Sequence, residues 1–164
     1  MNLIVAVSAN WGIGYENKLL YRIRGDQQFF KDMTEGKVVV MGHSTFRSLP
    51  GGKPLANRTN IVLSRNPELR IPDVTICASI PQLNEILQAY ATEGVFIIGG
   101  ESIYSQFLDS CSHAYITKIE SIPKADTFFP NLDALPNWQC IEESETKTSK
   151  TGLLYRFCTY IRQP

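Results

Sequence analysis

At 164 residues, with 43% hydrophobic side chains and 16 basic residues against 16 acidic ones, the chain has the composition of one ordinary globular domain that can bury its own core. Its zero formal net charge excludes the broad basic field of a nucleic-acid-binding protein, so a bound phosphate has to be held locally. No apolar run is long enough to cross a bilayer and Met1-Asn2-Leu3-Ile4-Val5 lacks the basic start of a signal peptide, so the expectation is a cytoplasmic protein without membrane contact.

The chain opens on an apolar run at residues 3–7 and continues into Gly12-Ile13-Gly14-Tyr15-Glu16-Asn17, a near match to G-x-G-x-x-G. The third glycine is missing, residues 18–23 show no helical face, and the next strand ends on Gly42 instead of an acid. The segment therefore reads as a mobile glycine-bearing loop and not as a Rossmann fingerprint. A helix is expected over 26–35. Phe29, Phe30 and Met33 follow Asp26 at i+3, i+4 and i+7, which puts a carboxylate on the apolar stripe. Two roles suit it: a helix N-terminal or capping acid, or a carboxylate of raised pKa at the floor of an apolar cleft.

The run at 38–41 leads into Gly42-His43-Ser44-Thr45 and a helix over 44–49. There Ser44 and Thr45 either cap the helix or donate to a phosphate. A strand at 60–64 ends in Ser64-Arg65, and this arginine, like Arg58 upstream, either grips an anion or is solvated. A strand at 74–77 and a helix at 81–90, capped by Ser79, come next. The apolar strand 95–98 then enters Gly99-Gly100-Glu101-Ser102-Ile103-Tyr104 and a helix over 101–108. Glycines let a backbone approach a pyrophosphate while free helix N–H groups face it, although a tight turn needs the same residues. Two strand-glycine-helix junctions on parallel strands lie at one sheet edge, where a dinucleotide spans them. G-x-x-x-x-G-K-[ST] does not occur, which argues against phosphoryl transfer.

After residue 110 strands follow one another at 113–119, 139–143 and 153–161, with a polar, turn-rich 142–152 suited to the exposed tip of a long hairpin. The expected fold is α/β: a mixed eight-stranded sheet, mostly parallel with an antiparallel C-terminal hairpin, flanked by about four helices, in a single domain over 1–164. Cys77, Cys111, Cys140 and Cys158 show no C-x-x-C spacing and read as reduced core residues. His43 and His113 are far apart, so no metal site is expected.

The ordered set Ala6, Ile13-Gly14, Glu16-Asn17, Asp26 with Phe30-Lys31, Val40-Met41-Gly42, Thr45-Phe46, Ser48, Pro54-Leu55, Arg58, Asn60-Ile61, Ser64-Arg65, Ile98-Gly99-Gly100, Tyr104, Thr117 and Asp126-Thr127-Phe128-Phe129-Pro130 resembles the bacterial-type dihydrofolate reductase family over nearly the whole chain. The resemblance implies reduction of 7,8-dihydrofolate to 5,6,7,8-tetrahydrofolate, with hydride passing from NADPH to C6 and a proton added at N5. It also implies a protein that serves one-carbon metabolism and nucleotide synthesis and binds antifolates, while the neutral net charge and the absence of an obvious interface helix make a monomer the expectation.

By the same resemblance Asp26, supported by Thr117, holds the pterin's amino and N3 groups and promotes N5 protonation through the pterin and water, with Tyr21 completing the catalytic set. Val5, Ala6, Gln27, Phe30, Leu49 and Leu55 are the implied substrate contacts, and Arg58 the implied partner of the glutamate tail's α-carboxylate. The implied cofactor contacts are Ala6, Ile13, Gly14 and Leu19, then Gly42, His43, Ser44 and Thr45, then Leu63, Ser64 and Arg65, then Ile98, Gly99, Gly100, Glu101, Ser102, Ile103 and Tyr104, and finally Thr127. Segment 14–21 is expected to close over the nicotinamide, and Gly99 and Gly100 to be joined by a cis peptide.

Departures from the family pattern stand at Leu20 and Tyr21 (usually proline and tryptophan), Gln27 (usually apolar), His43 (often arginine) and Ala56-Asn57 (often Pro-Gly). With His43 in place, Ser64 and Arg65 are left to select NADPH over NADH. Two rival readings share the fold's logic. A riboflavin-pathway pyrimidine reductase is disfavoured by Asp26 on an aromatic stripe with Arg58 downstream. A non-catalytic nucleotide-binding module predicts cofactor binding without turnover.

Overall fold

The continuous apolar runs become strands whose alternate side chains enter two cores. The computed structural model describes residues 1–164, in the order β1 (Asn2–Val7), β2 (Gly12–Tyr15), β3 (Lys18–Leu19), α1 (Arg24–Thr34), β4 (Val38–Gly42), α2 (His43–Ser48), β5 (Thr59–Leu63), β6 (Thr75–Cys77), α3 (Ile80–Leu87), β7 (Val95–Gly99), α4 (Glu101–Phe107), β8 (His113–Ile119), β9 (Thr127–Phe128), β10 (Trp138–Glu143), β11 (Lys147–Thr148) and β12 (Leu154–Arg162). The main sheet runs β10-β12-β8-β1-β7-β4-β5-β6, with β11 added on β12. Strands β8, β1, β7, β4, β5 and β6 pair in parallel. Strand β12 enters antiparallel between β8 and β10.

Leu3, Val38, Val40, Ile61, Val95 and Ile97 face one core, to which α3 and α4 contribute Leu83, Leu87, Tyr104 and Phe107. Their chain neighbours Ile4, Val39, Met41, Val62 and Phe96 face the other, against Phe29, Phe30 and Met33 of α1 and Phe46 of α2. Two helices thus cover each face, and a strand buried on both sides has no polar alternation. The antiparallel end differs. On the edge strand β10 only Trp138 is buried, so Cys140 is exposed and the expectation that every cysteine lies in the core is corrected; Cys77, Cys111 and Cys158 are buried.

A second correction concerns the segment expected as a mobile loop. It forms an antiparallel hairpin of β2 and β3, and β2 pairs on its other side with β9. The two-residue turn is Glu16-Asn17, with φ of 49° and 62°. This is the double left-handed geometry that matches strand twist in tight hairpins, and Asn tolerates it. Strands of two residues, or of four with two glycines as in β2, leave no apolar period to detect, so β2, β3, β9 and β11 escaped the sequence pattern. The helices match expectation within a residue or two, except that α3 ends at Leu87 and not at residue 90.

Candidate active site

Asp26 lies in the first turn of α1, but the residue at the cap position is Ile23, which makes no side-chain cap bond. Its carboxylate is turned away from the helix end and accepts a hydrogen bond of 2.6 Å from Thr117 Oγ1. Thr117 is 2% exposed and sits in β8 between Ala6 of β1 and Phe157 of β12. A Cβ on Gly25 would collide with the Tyr155 hydroxyl, so the missing side chain lets α1 settle directly on β12 and brings Asp26 to the sheet. Burial pushes the Asp26 carboxyl above its usual range, and the Thr117 hydrogen bond only partly offsets this.

Beyond Asp26 the groove is apolar. Phe29 stacks on Phe157 with ring centroids 4.3 Å apart. Phe30, Leu49, Leu55 and Ile98, all half-buried, pack against the core that contains Met41 and Phe46. The expected substrate contacts Phe30, Leu49 and Leu55 therefore pack against one core, Phe30 on the same helix as Asp26, and Ala6 lies opposite Thr117 on the neighbouring strand. At the far end of α1, Arg58 donates through Nε to the Ala56 carbonyl (2.8 Å) and through Nη1 to Thr34 Oγ1 (3.1 Å). Asn57 takes the left-handed φ of 59° that glycine would otherwise supply. Burial lowers the Arg58 pKa, opposed by the charge of Glu35.

Two expected residues stand apart from this wall. The Tyr21 hydroxyl faces the Ser121 carbonyl at 3.4 Å, and its ring packs against the small core of Ile23, Ile119 and Tyr155. Burial raises its pKa while the Ser121 contact lowers it. Gln27 is exposed on α1.

Next to the groove is a cleft of about 430 Å³ lined by Val5, Ile13, Gly14, Leu19, Gly42, His43, Ser44, Thr45, Thr127 and the run from Ile98 to Tyr104. Most of the expected cofactor contacts thus converge. Val5, expected on the substrate, opens here, and Asn17, Lys18 and Ser48 join without having been singled out as contacts. Ser64 opens instead into a separate cavity of about 790 Å³ with Asn66, Arg70 and Gln82, while Arg65 is exposed at the end of β5 beyond Leu63. Neither Leu63 nor Ala6 is among the residues lining the cleft.

The cleft is built for close approach. Gly99 and Gly100 are joined by a cis peptide, as expected, and a Cβ on either would lie 3.3 Å from Thr45 Oγ1. The Tyr104 hydroxyl donates to the Ile4 carbonyl at 2.8 Å, which locks α4 to β1, and burial raises that phenol's pKa. The helices α2 and α4 begin after Gly42 and Gly100, with no side-chain cap. Their first residues, His43 to Thr45 and Glu101 to Ile103, line the cleft, which puts helix N-termini with unpaired N–H groups at its edge. Away from the cleft, α3 is capped conventionally, its Ser79 hydroxyl accepting from Gln82 N at 3.2 Å. A dinucleotide's phosphates therefore fit the two glycine-started helices.

The family model for dihydrofolate reductase matches residues 1–162. The chain is 37% identical over 162 residues to dihydrofolate reductase of Neisseria meningitidis serogroup A, covering 99% of this chain and 98% of that protein. It is 33% identical over 161 residues to dihydrofolate reductase of Bacillus subtilis, covering 98% and 93%. Against the bifunctional dihydrofolate reductase-thymidylate synthase of Paramecium tetraurelia the identity is 34%, and the 95% of this chain that aligns spans only 33% of that protein. Among solved structures, dihydrofolate reductase from Enterococcus faecalis complexed with NADP(H) and RAB-propyl superposes with a TM-score of 0.88 at 30% identity, covering 99% of this chain and 96% of that one.

Proposed function

From the premise that the chain belongs to the dihydrofolate reductase family and catalyses the NADPH-dependent reduction of dihydrofolate to tetrahydrofolate, we propose that the Asp26–Thr117 pair holds the pterin and that the two glycine-started helices hold the cofactor. The observation that carries this is a half-buried carboxylate of raised pKa, 2.6 Å from Thr117 Oγ1, on the helix that packs Phe29, Phe30 and Met33 against the same core as Ile98 of the glycine cleft.

In this reading NADPH supplies the hydride that reaches C6. Asp26 accepts hydrogen bonds from the pterin's amino and N3 groups and fixes which face of the ring is presented. It sits at the ring edge remote from N5, so it favours N5 protonation through the pterin and water and does not deliver the proton itself. Thr117 holds the carboxylate in one orientation. Phe30, Leu49 and Leu55 exclude water from the ring and benzoyl groups, and Arg58, fixed by Ala56 and Thr34, pairs with the glutamate tail's α-carboxylate. Val5, Ala6, Ile13 and Ile98 set the packing between the two rings. The hairpin β2–β3 closes the cleft, with Tyr21 at its base, and Gln27 meets the substrate at the groove's rim. His43, Ser44 and Thr45 with Glu101, Ser102 and Ile103 surround the pyrophosphate, while Leu63, Ser64 and Arg65 take the adenosine and its 2′-phosphate and so favour NADPH over NADH.

Antifolate heterocycles that donate like the pterin bind at Asp26 on the same argument. We further place the protein as a cytoplasmic, single-domain monomer. The family match over 1–162 supports one domain, and sedimentation of the purified protein tests the monomer. No helix is long and apolar enough to cross a membrane.

The test is loss of reduced-nicotinamide absorbance on mixing protein, dihydrofolate and NADPH, with NADH in parallel. Turnover with NADPH in clear preference to NADH supports the assignment, including the role of Ser64 and Arg65. Equal rates would remove those two from phosphate selection. Cofactor binding without turnover of dihydrofolate would remove Asp26 from the pterin.

A further inference from the structure

The cleft has two walls that are distant in sequence, the start of α4 and the small sheet β3-β2-β9, and a single carboxylate joins them. The Glu101 carboxylate accepts a hydrogen bond of 2.6 Å from the backbone N–H of Phe128. Strand β9 pairs only with β2, so the Phe128 N–H points outward from an edge and needs a partner; Glu101 supplies it. One turn further along α4, the Tyr104 ring meets the edge of Phe129 at 4.9 Å between centroids. Helix α4 thus grips two consecutive residues of this segment, one by a charged hydrogen bond and one by an aromatic contact.

That grip carries through to the hairpin. Asp126 N donates to the Gly14 carbonyl and Phe129 N to the Trp11 carbonyl, at 2.9 and 2.8 Å. Asp126 Oδ2 accepts from Glu16 N at 3.0 Å in the hairpin turn. Contact between β2 and β9 is tight enough that a Cβ on Gly14 would come 2.7 Å from Thr127 Oγ1. Any shift of β9 is therefore a shift of Gly14 and its hairpin, which form the cleft's other wall.

We propose that Glu101 is a positioning residue that sets the width of the cofactor cleft by clamping Phe128, and through β9 the hairpin β2–β3, to the start of α4. The proposal rests on the reading of this cleft as the NADPH site and revises the part Glu101 plays there. The carboxylate has two effects of opposite sign. Its oxygen holds the far wall in place, which favours cofactor binding, while its negative charge lies beside the place where phosphates would bind, which opposes it.

Two substitutions separate these effects. Glu101→Gln keeps an oxygen acceptor and removes the charge; Glu101→Ala removes both. The clamp predicts that Ala raises KM for NADPH by roughly threefold, a modest factor because the bond is solvent-exposed, with kcat changed less, and that Gln lowers KM. Backbone amide exchange, read without cofactor, should accelerate at Phe128 and across Gly12–Tyr15 in the Ala variant and stay slow in the Gln variant. A shift of KM in the same direction by the same factor in both variants would mean that charge alone acts, and the clamp would be wrong. Unchanged exchange in the Ala variant would overturn it equally. If the unaltered protein failed to bind NADPH, the cofactor reading would fall, while the exchange comparison would still decide whether Glu101 holds the hairpin.

Discussion

Strand β8 presents two carboxylate sites from consecutive residues, one on each face. Thr117 donates to Asp26 at 2.6 Å, and Lys118 binds Asp133 at 2.8 Å. Asp133 also accepts from the Tyr160 hydroxyl at 2.6 Å, and the Lys118 ammonium lies over the rings of Trp11 and Tyr160 at 5.3 and 5.4 Å. Partial burial alone would push Asp133 up, but hydrogen bonds from Lys118 and Tyr160 and the charges of Lys118 and Arg156 hold it below its usual range. Asp26 faces a neutral hydroxyl and goes the other way. A compensated carboxylate holds a fold together; an undercompensated one remains available to a ligand that brings the missing donors.

Replacing Asp26 by Asn breaks the contrast most strongly. Turnover of dihydrofolate at neutral pH should fall roughly 10²-fold or more, with partial recovery as pH falls and the substrate arrives protonated, while NADPH binding persists; steady-state kinetics across pH checks this. The same substitution should leave stability at neutral pH equal or higher. A carboxyl with a raised folded pKa stabilises fully below its unfolded value of about 3.9 and loses that contribution as pH rises through the folded pKa. Denaturant midpoints against pH would show this loss in the unaltered protein and not in the variant.

Thr117→Val sharpens the same point. It removes the one hydrogen bond that lowers the Asp26 pKa, so the limb of the pH–rate profile that reports Asp26 should move to higher pH, and kcat/KM should drop about tenfold. An unmoved profile would separate Thr117 from the chemistry.

On the other face the effects are on folding. Lys118→Met, which removes the ion pair and both ring contacts, should cost about 1 kcal/mol by urea unfolding while leaving kcat near its original value. Asp133→Asn should cost less, about 0.5 kcal/mol, because the carboxylate is half exposed. Its sign with pH is the reverse of Asp26: a lowered folded pKa stabilises above about 3.9 and loses that contribution as pH falls through the folded value, so the Asn variant should show a shallower acid transition.

The two sites were unequally legible. Asp26 could be placed on an apolar stripe from Phe29, Phe30 and Met33 alone, because helical spacing is local information. Its partner lies 91 positions away, and Thr117 entered only through the family resemblance. The Lys118–Asp133–Tyr160 cluster left no trace, since each member is an ordinary strand or turn residue until the antiparallel end folds. The parallel strands were readable because both faces are covered. The hairpin β2–β3 was read as a loop because its two-residue turn, Glu16-Asn17, lacks the glycine that usually marks such turns. Arg58 was recognised as a candidate, but its bracing by Ala56 and Thr34 required the turn at Asn57. Glu101 was placed at the cofactor from the motif around it, whereas its contact with Phe128 depends on an edge strand of two residues that no pattern predicts.

The absence of side-chain caps on α2 and α4 also bears on how much of this enzyme is folded in a cell. On the proposed reading, the uncapped first N–H groups of both helices gain anionic partners in the complex, so the nucleotide would complete both helix ends. Cofactor bound only by the native state adds about 2.7 kcal/mol of stability at a concentration 100 times its Kd. Resistance to heat and proteolysis then follows the nucleotide pool, and a variant too weak to persist alone can survive wherever NADPH is plentiful.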